Sequence, residues 1–196
     1  MNKYKINLIL ILVIVCAVFS EVQAQEGSLM LYGSLTYKDN NNTGSSFGAN
    51  PIGLGYFFND HVVAGINFAF DKEKNGLGHL TDSKYEVGPF YSDSWKIGDY
   101  FVIIAQLDTH YVWGSTLMNT MGSYSYDGYL VRAYPIIAIG LGHGWALKAK
   151  FCELSFASTT GNDANKTKDH TFIAGVNGST LGIGVSKNIA FKKKKE

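Results

Sequence analysis

Residues 100–113 read YFVIIAQLDTHYVW, and the character of the side chains alternates over the whole stretch. One set of alternate positions is apolar and ends in an aromatic pair: Phe101, Ile103, Ala105, Leu107, Thr109, Tyr111 and Trp113. The other set becomes polar halfway along: Val102, Ile104, Gln106, Asp108, His110 and Val112. A period of two predicts a β-strand, and this one exceeds the ordinary length of about 5–6 residues. It suits a tilted strand that crosses a bilayer, which needs roughly 9–11 residues, and equally a long strand of a soluble barrel.

The N-terminus has the three parts of a secretory signal peptide. Lys3 and Lys5 supply positive charge, residues 6–19 form an almost unbroken apolar run, and residues 22–24 offer a cleavage site before Gln25. This order is typical of export signals, and the run is shorter than the roughly 20 residues of a membrane anchor. We therefore predict a signal peptide over residues 1–24, a β-barrel domain over residues 25–191 and a basic tail over residues 192–196.

The composition of the chain is typical of a barrel with tight turns. It contains 22 Gly, 12 Phe and 12 Tyr but only 3 Pro, as closed antiparallel folds often do. Loss of Lys3, Lys5 and Glu21 from 17 basic and 16 acidic residues leaves 15 of each. The mature chain is therefore near neutral, and we expect no nucleic-acid partner. Cys152 is then the only cysteine, which excludes an internal disulfide.

The alternation recurs along the chain and predicts eight strands. Their ranges are 28–38, 47–58, 61–71, 83–91, 100–113, 128–141, 145–156 and 171–191. Connections one, three, five and seven are long and polar, whereas the other three are short. An even strand count with alternating connection lengths is typical of outer-membrane barrels. We therefore predict an all-β, eight-stranded, antiparallel up-and-down transmembrane β-barrel.

The polar positions of these strands fit the interior of such a barrel. The faces opposite the apolar rows carry Asn67, Asp71, Lys84, Glu86, Gln106, Asp108, His110, Arg132, Lys148 and Lys150. Exposed to water, the apolar rows would form a patch far larger than the few hundred Å² typical of monomers, whereas lipid would cover them. Because buried charges need partners, we predict an ion-pair network in the lumen from Glu86, Asp108, His110, Arg132, Lys148 and Lys150.

Candidate catalytic and metal-binding residues are few. Asp108 and His110 share a strand face, and with a serine they would resemble part of a hydrolytic triad. The sequence places no serine beside them, so we expect a protein that is not an enzyme. The histidines lack metal-ligand spacing with one another or with Cys152, and we expect no metal and no cofactor. Four aromatic residues, Tyr91, Trp113, Tyr129 and Trp145, are interpreted as anchors at the membrane interfaces.

Three further stretches read NPIGLGYFFND at residues 50–60, VGPFY at residues 87–91 and WALKA at residues 145–149. They resemble the outer membrane protein beta-barrel domain family, the small eight-stranded barrels of Gram-negative bacteria. LGIGV at residues 181–185, together with Phe191, resembles that family's last-strand assembly signal, although residues 192–196 follow it. The resemblance implies a protein of the cell outer membrane that contacts lipid and lipopolysaccharide and is inserted by the barrel assembly machinery.

These features together predict a non-enzymatic outer-membrane β-barrel with a structural or surface-interaction role, and we expect a monomer. Two alternatives stay open at this point. One is a narrow pore or transporter for small apolar compounds, and the other is a soluble ligand-binding β-barrel of the periplasm. In the membrane interpretation the basic tail lies on the periplasmic side, where it could contact lipid phosphates.

Overall fold

The computed structural model describes residues 26–40, 44–74, 80–118, 122–162, 166–176 and 182–190. All of the regular structure in these residues is β-strand. No helix among them has the length and apolar character needed to cross a membrane. The predicted signal peptide, the predicted assembly residue Phe191 and the basic tail lie outside the described residues.

Eleven strands follow one another along this part of the chain. They are β1 (Leu29–Gly33), β2 (Leu35–Asn40), β3 (Gly44–Phe57), β4 (Val62–Lys74), β5 (Leu80–Ile97), β6 (Phe101–Met118), β7 (Gly122–Gly142), β8 (Trp145–Lys150), β9 (Glu153–Gly161), β10 (Lys168–Gly175) and β11 (Gly182–Ile189). Only Ser34 separates β1 from β2, and only Phe151 and Cys152 separate β8 from β9. The predicted first and seventh strands are therefore each divided in two. β10 and β11 stand for the predicted eighth strand, and its predicted break near residues 177–178 lies outside the described residues.

Eight of these strands form a closed antiparallel ring. Its order is β7, β6, β5, β4, β3, β1, β11 and β8, and β8 returns to β7. Closure joins the two ends of the chain, because β1 pairs with β11 from Leu29–Ile189 to Gly33–Val185. The other three strands extend the sheet, with β2 on β3, β9 on β7 and β10 on β9. The predicted all-β antiparallel fold and the ring of eight strands are therefore confirmed.

Several strands are longer than the sequence suggested. Residues 114–127 were predicted as a loop, which is wrong, since β6 continues to Met118 and β7 begins at Gly122. Polar side chains pair across these strand ends: Ser83 Oγ lies 3.0 Å from Ser115 Oγ, and Thr116 Oγ1 donates to Asp82 Oδ1 at 2.9 Å. These ends are rich in Ser and Gly and so imitate a loop in the sequence, yet their backbone groups are satisfied by pairing.

Three tight connections, at residues 58–61, 98–100 and 143–144, lie at the same end of the ring, which we call the short-turn end. In the first, Asn59 Oδ1 accepts a 2.7 Å hydrogen bond from the backbone N of Val62, as asparagine commonly does in turns. In the third, residues 142–144 all have positive φ, which glycine adopts without strain at two of the three positions. Both turns were predicted, and the structure confirms them.

Two apolar clusters line the inside of the ring. The first cluster, from β1, β3, β4 and β5, consists of Met30, Tyr32, Phe57, Val63 and Phe90. The second cluster, from β6 and β7, consists of Ile104, Tyr134, Ile136 and Ala138, with Val102 packed against it. The interior is therefore not uniformly polar, because apolar side chains collect on two separate arcs of the wall.

Gly53 makes room for one of these side chains. A Cβ atom at this position would lie 2.3 Å from Cε1 of the Tyr32 ring, so we expect Gly53→Val to displace that ring. Overpacking of this kind typically costs about 1–3 kcal/mol, and urea unfolding of the variant should show a loss in that range.

Gly140→Val is the matched control, because the nearest atom to a Cβ there is Tyr100 O at 4.0 Å. We expect little change in the free energy of unfolding for this variant. Equal losses at Gly53 and Gly140 would contradict the close packing of Tyr32 on the glycine.

Candidate functional site

The densest group of buried polar side chains lies inside the ring, on β4 to β7. On β6, the exposed fraction is 2% for Gln106, 0% for Asp108 and 1% for His110. Their neighbour Leu107 is 47% exposed, because successive side chains of a strand point to opposite faces. The alternation that was evident in the sequence therefore turns the polar face of β6 inward.

Arg132 is the centre of this group. Its Nε lies 3.1 Å from Asp108 Oδ2, and its Nη2 lies 3.0 Å from Glu86 Oε2. Asp108 and Arg132 are direct cross-strand neighbours in the pairing of β6 with β7. Lys84, whose side chain is 40% exposed, adds a 2.9 Å contact from Nζ to Glu86 Oε1. Two carboxylates thus face two cations, so no charge of this group lacks an opposite charge.

His110 is fixed through both of its ring nitrogens. Nδ1 lies 3.0 Å from Glu86 Oε2 and 3.1 Å from Arg132 Nη2, and Nε2 contacts Asn67 Oδ1. The Asn67 amide in turn donates to Tyr32 OH at 2.9 Å. Because an amide oxygen only accepts, Nε2 carries the proton in this arrangement. Nδ1 then accepts from Arg132 when the ring is neutral, or donates to Glu86 when it is protonated.

Asp108 has hydrogen-bond donors at both carboxylate oxygens. Tyr134 OH donates to Oδ2 at 2.8 Å, and Gln106 Nε2 donates to Oδ1 at 2.9 Å. Gln106 Nε2 also lies 2.8 Å from Tyr134 OH and 3.1 Å from Tyr32 OH. Gln106 Oε1, by contrast, is buried with no hydrogen-bond partner among the described residues. The whole network therefore draws side chains from β1, β4, β5, β6 and β7.

The structure brings together four of the six residues predicted for the network: Glu86, Asp108, His110 and Arg132. The two lysines of β8 contact the rings of Tyr32 and Tyr134 but form no ion pair with Glu86 or Asp108. Lys150 Nζ pairs with Glu153 Oε2 at 2.8 Å, and Lys148 Nζ has no carboxylate within 4.0 Å among the described residues. The reason is register: Lys148 pairs with Ala138, which lies three inward positions from Arg132 along β7. The predicted membership of these two lysines is corrected by these contacts.

Sequence reasoning missed three side chains that complete these contacts: Tyr32, Tyr134 and Glu153. Tyr134 stands two positions from Arg132, so its inward direction could have been deduced from the period of two. Glu153 is close to Lys150 in sequence, but the break between β8 and β9 hides the pairing. Tyr32 gave no such signal, because an aromatic residue in a strand fits the outside of a barrel equally well.

The arrangement leaves little opening for the hydrolytic chemistry that Asp108 and His110 suggested. The oxygens of Asp108 are engaged by Arg132, Tyr134 and Gln106. In the part of the chain that the structure describes, the contacts of the His110 nitrogens are Glu86, Arg132 and Asn67, and none is a serine. The described residues also contain no group of three or more His, Cys, Asp or Glu side chains that could hold a metal ion.

The four predicted interface aromatics are exposed or half-buried on the outside of the ring. Trp113 stacks on Tyr85 with ring centroids 5.6 Å apart, and Tyr129 is the cross-strand partner of Tyr111. Trp145 lies beside the turn at residues 143–144, at the opposite end. Tyr91 differs from the others, because it pairs with Leu107 in the middle of β6. Its register therefore places it between the level of Trp113 and Tyr129 at one end of the ring and the level of Trp145 at the other.

We expect Arg132→Ala to lower the free energy of unfolding by about 3–5 kcal/mol, because Asp108 would stay buried without a cation and Glu86 would keep only the partly exposed Lys84. Combined with Glu86→Gln or Asp108→Asn, it should show a coupling energy of about 0.5–3 kcal/mol in each double-mutant cycle. Urea unfolding of the single and double variants measures both quantities. Additive behaviour in both cycles would contradict the central place of Arg132.

Lys84→Ala is the control for this experiment, since Lys84 contacts the same carboxylate from a position that is 40% exposed. Exposed ion pairs contribute about 0–1 kcal/mol, so its removal should cost far less than removal of Arg132. A comparable loss would show that the position of the cation relative to solvent does not matter here.

Comparison with known proteins assigns no family to the chain. No family model matches it, and no curated protein matches it.

Proposed function

We propose that this chain is an integral β-barrel of the outer membrane, not an enzyme, whose interior is closed by the Arg132 network and whose role is structural or surface interaction. The observation that carries the proposal is the reversed polarity of the ring. Charged and hydrogen-bonded side chains are buried inside it, and large apolar side chains are exposed outside it.

β6 gives the clearest measure of this reversal. Phe101, Leu107 and Tyr111 are 48%, 47% and 42% exposed, whereas Asp108 and His110 on the other face are 0% and 1% exposed. A water-soluble protein tends to bury the first kind of side chain and expose the second. A lipid environment removes the cost of the exposed apolar surface, which is why this pattern favours a membrane-spanning ring over the soluble alternative.

The aromatic levels are consistent with the thickness of a bilayer. Phe101 stands at the short-turn end of β6, and Trp113 lies five residues before its other end. The stretch between them, at about 3.3 Å per residue and tilted by about 40°, rises about 30 Å. The hydrocarbon core of a bilayer is about 30 Å thick, and barrels carry aromatic girdles at both of its boundaries.

The filled interior favours a structural or surface role over a pore. An eight-stranded ring is just wide enough for side chains, and here Gln106 Nε2 of β6 lies 3.1 Å from Tyr32 OH of β1, on the opposite side of the ring. β6 continues beyond Trp113 and ends at Met118, and β7 begins at Gly122. In the proposed topology these polar ends project from the cell surface, where they are the parts available to an external partner.

The location is tested by fractionation after expression in a Gram-negative host. We expect the full chain in the outer-membrane fraction, with release by detergent but not by alkaline carbonate or high salt. Recovery of folded protein in the soluble periplasmic fraction would overturn the membrane proposal and leave the soluble barrel.

The lipid contact of the outer face is tested by Leu107→Arg. We expect this change to make folding into lipid less favourable by about 2–4 kcal/mol, which is the cost of an arginine facing the bilayer midplane. Leu117 is 41% exposed on the same face of β6 but lies beyond Trp113, so Leu117→Arg is the matched control. There the cost near the interface should be about 0–1 kcal/mol. Equal tolerance of both changes would indicate that water, not lipid, surrounds the ring.

A further inference from the structure

A cavity of about 90 Å³ lies inside the ring near the short-turn end. Phe57 and Val63 of the first cluster line it, as do Ile104 and Ala138 of the second cluster. The two clusters therefore leave a gap where their side chains would otherwise meet. The gap has room for about three water molecules at liquid density, and most of its wall offers water no hydrogen bonds.

Lys148 lies in the wall of this cavity. It is 8% exposed, its Nζ lies 3.2 Å from Met30 Sδ, and the ammonium stands 4.9 Å from the centre of the Tyr32 ring. A thioether is a weak acceptor, and an aromatic face compensates a buried cation only in part. No carboxylate among the described residues lies within 4.0 Å of Lys148. A buried ammonium without a counter-ion is costly, so this position favours an anion from outside.

Other polar groups in the wall would support such an anion. Ser92 and Ser186 are buried there. Asn188 also lines the cavity, and its Oδ1 is buried with no hydrogen-bond partner among the described residues. Turned the other way, the same amide would present N–H donors. The described lining contains no Asp or Glu, so nothing in it repels a negative charge.

We propose that this cavity binds a short-chain monocarboxylate. Its carboxylate pairs with Lys148, and its hydrocarbon chain lies between Phe57 and Val63 on one side and Ile104 and Ala138 on the other. A single cation in an apolar wall matches one negative charge on an apolar body. Phosphate would bring more charge and need more donors than this wall supplies. The inference goes beyond the proposed function and does not depend on it.

The test is isothermal titration calorimetry of the purified full chain in a non-ionic detergent, with sodium butanoate as the probe. We expect saturable binding of butanoate, and binding of 1-butanol and of inorganic phosphate at least about tenfold weaker. The factor follows from the usual strength of a hydrogen bond to a charged group. Absence of saturable butanoate binding, or equal binding of butanoate and butanol, would overturn the proposal.

Three variants locate the site. Lys148→Met removes the charge at similar volume and should weaken butanoate binding at least about tenfold. Lys150→Met is the matched control, because Lys150 pairs with Glu153 and does not line this cavity. The affinity of this variant for butanoate should match that of the wild type. Ala138→Phe, which fills the gap and keeps Lys148, should abolish binding. Unchanged affinity in Lys148→Met, or equal losses in both lysine variants, would overturn the assignment.

Stability without ligand gives a second readout. Because Lys148 has no described counter-ion, Lys148→Met should unfold at the same urea concentration as the wild type or at a higher one when carboxylate is absent. A marked decrease would show that Lys148 has a structural partner within the chain, and it would overturn the proposal independently of the calorimetry.

Discussion

The contact of Arg132 with two carboxylates from two neighbouring strands is the interaction on which the interior depends. A guanidinium presents five donors in a fixed plane, so it can meet Asp108 through Nε and Glu86 through Nη2 at once. Each carboxylate is almost completely buried and needs a cation close by. Tyr134 and His110 are then held by the same carboxylate oxygens. Removal of Arg132 would leave Asp108 as a buried charge without a cation.

This interior also determines what the exterior must be. Because a strand has a period of two, burial of Gln106, Asp108 and His110 commits Leu107 and the rest of its face to the outside. A slip of one residue would exchange the faces and place every charge of β6 outside. The ion pairs and the exposed apolar rows are therefore two consequences of one choice of register, and neither can change without the other.

Features that depend on neighbouring residues in the sequence could be predicted, whereas features that depend on contacts between strands could not. The direction of side chains on β6 and β7 depends only on the strand period, so the inward directions of Asp108, His110 and Arg132 could be deduced from sequence. The ring of eight followed from the number of alternating stretches. Contacts between strands depend on register, which the sequence did not determine. Lys148 is inward as expected, but its pairing with Ala138 places it away from Arg132. The ends of β6 and β7 resemble a loop in the sequence because they are rich in Ser and Gly, which are typical of turns.

The charges inside the ring are unevenly distributed along its length. Arg132 and Lys84 offset Asp108 and Glu86, and Lys150 offsets Glu153. Lys148 remains as the cation without a described counter-ion, on the side of the network that faces the short-turn end. In the proposed site its field would attract anions to that end, while the network beyond it occupies space between the strands. An anion that enters would meet Lys148 before it met the carboxylates of Asp108 and Glu86, which would repel it. In the proposed barrel, the network would therefore oppose passage through the ring, and Lys148 would favour binding at the short-turn end.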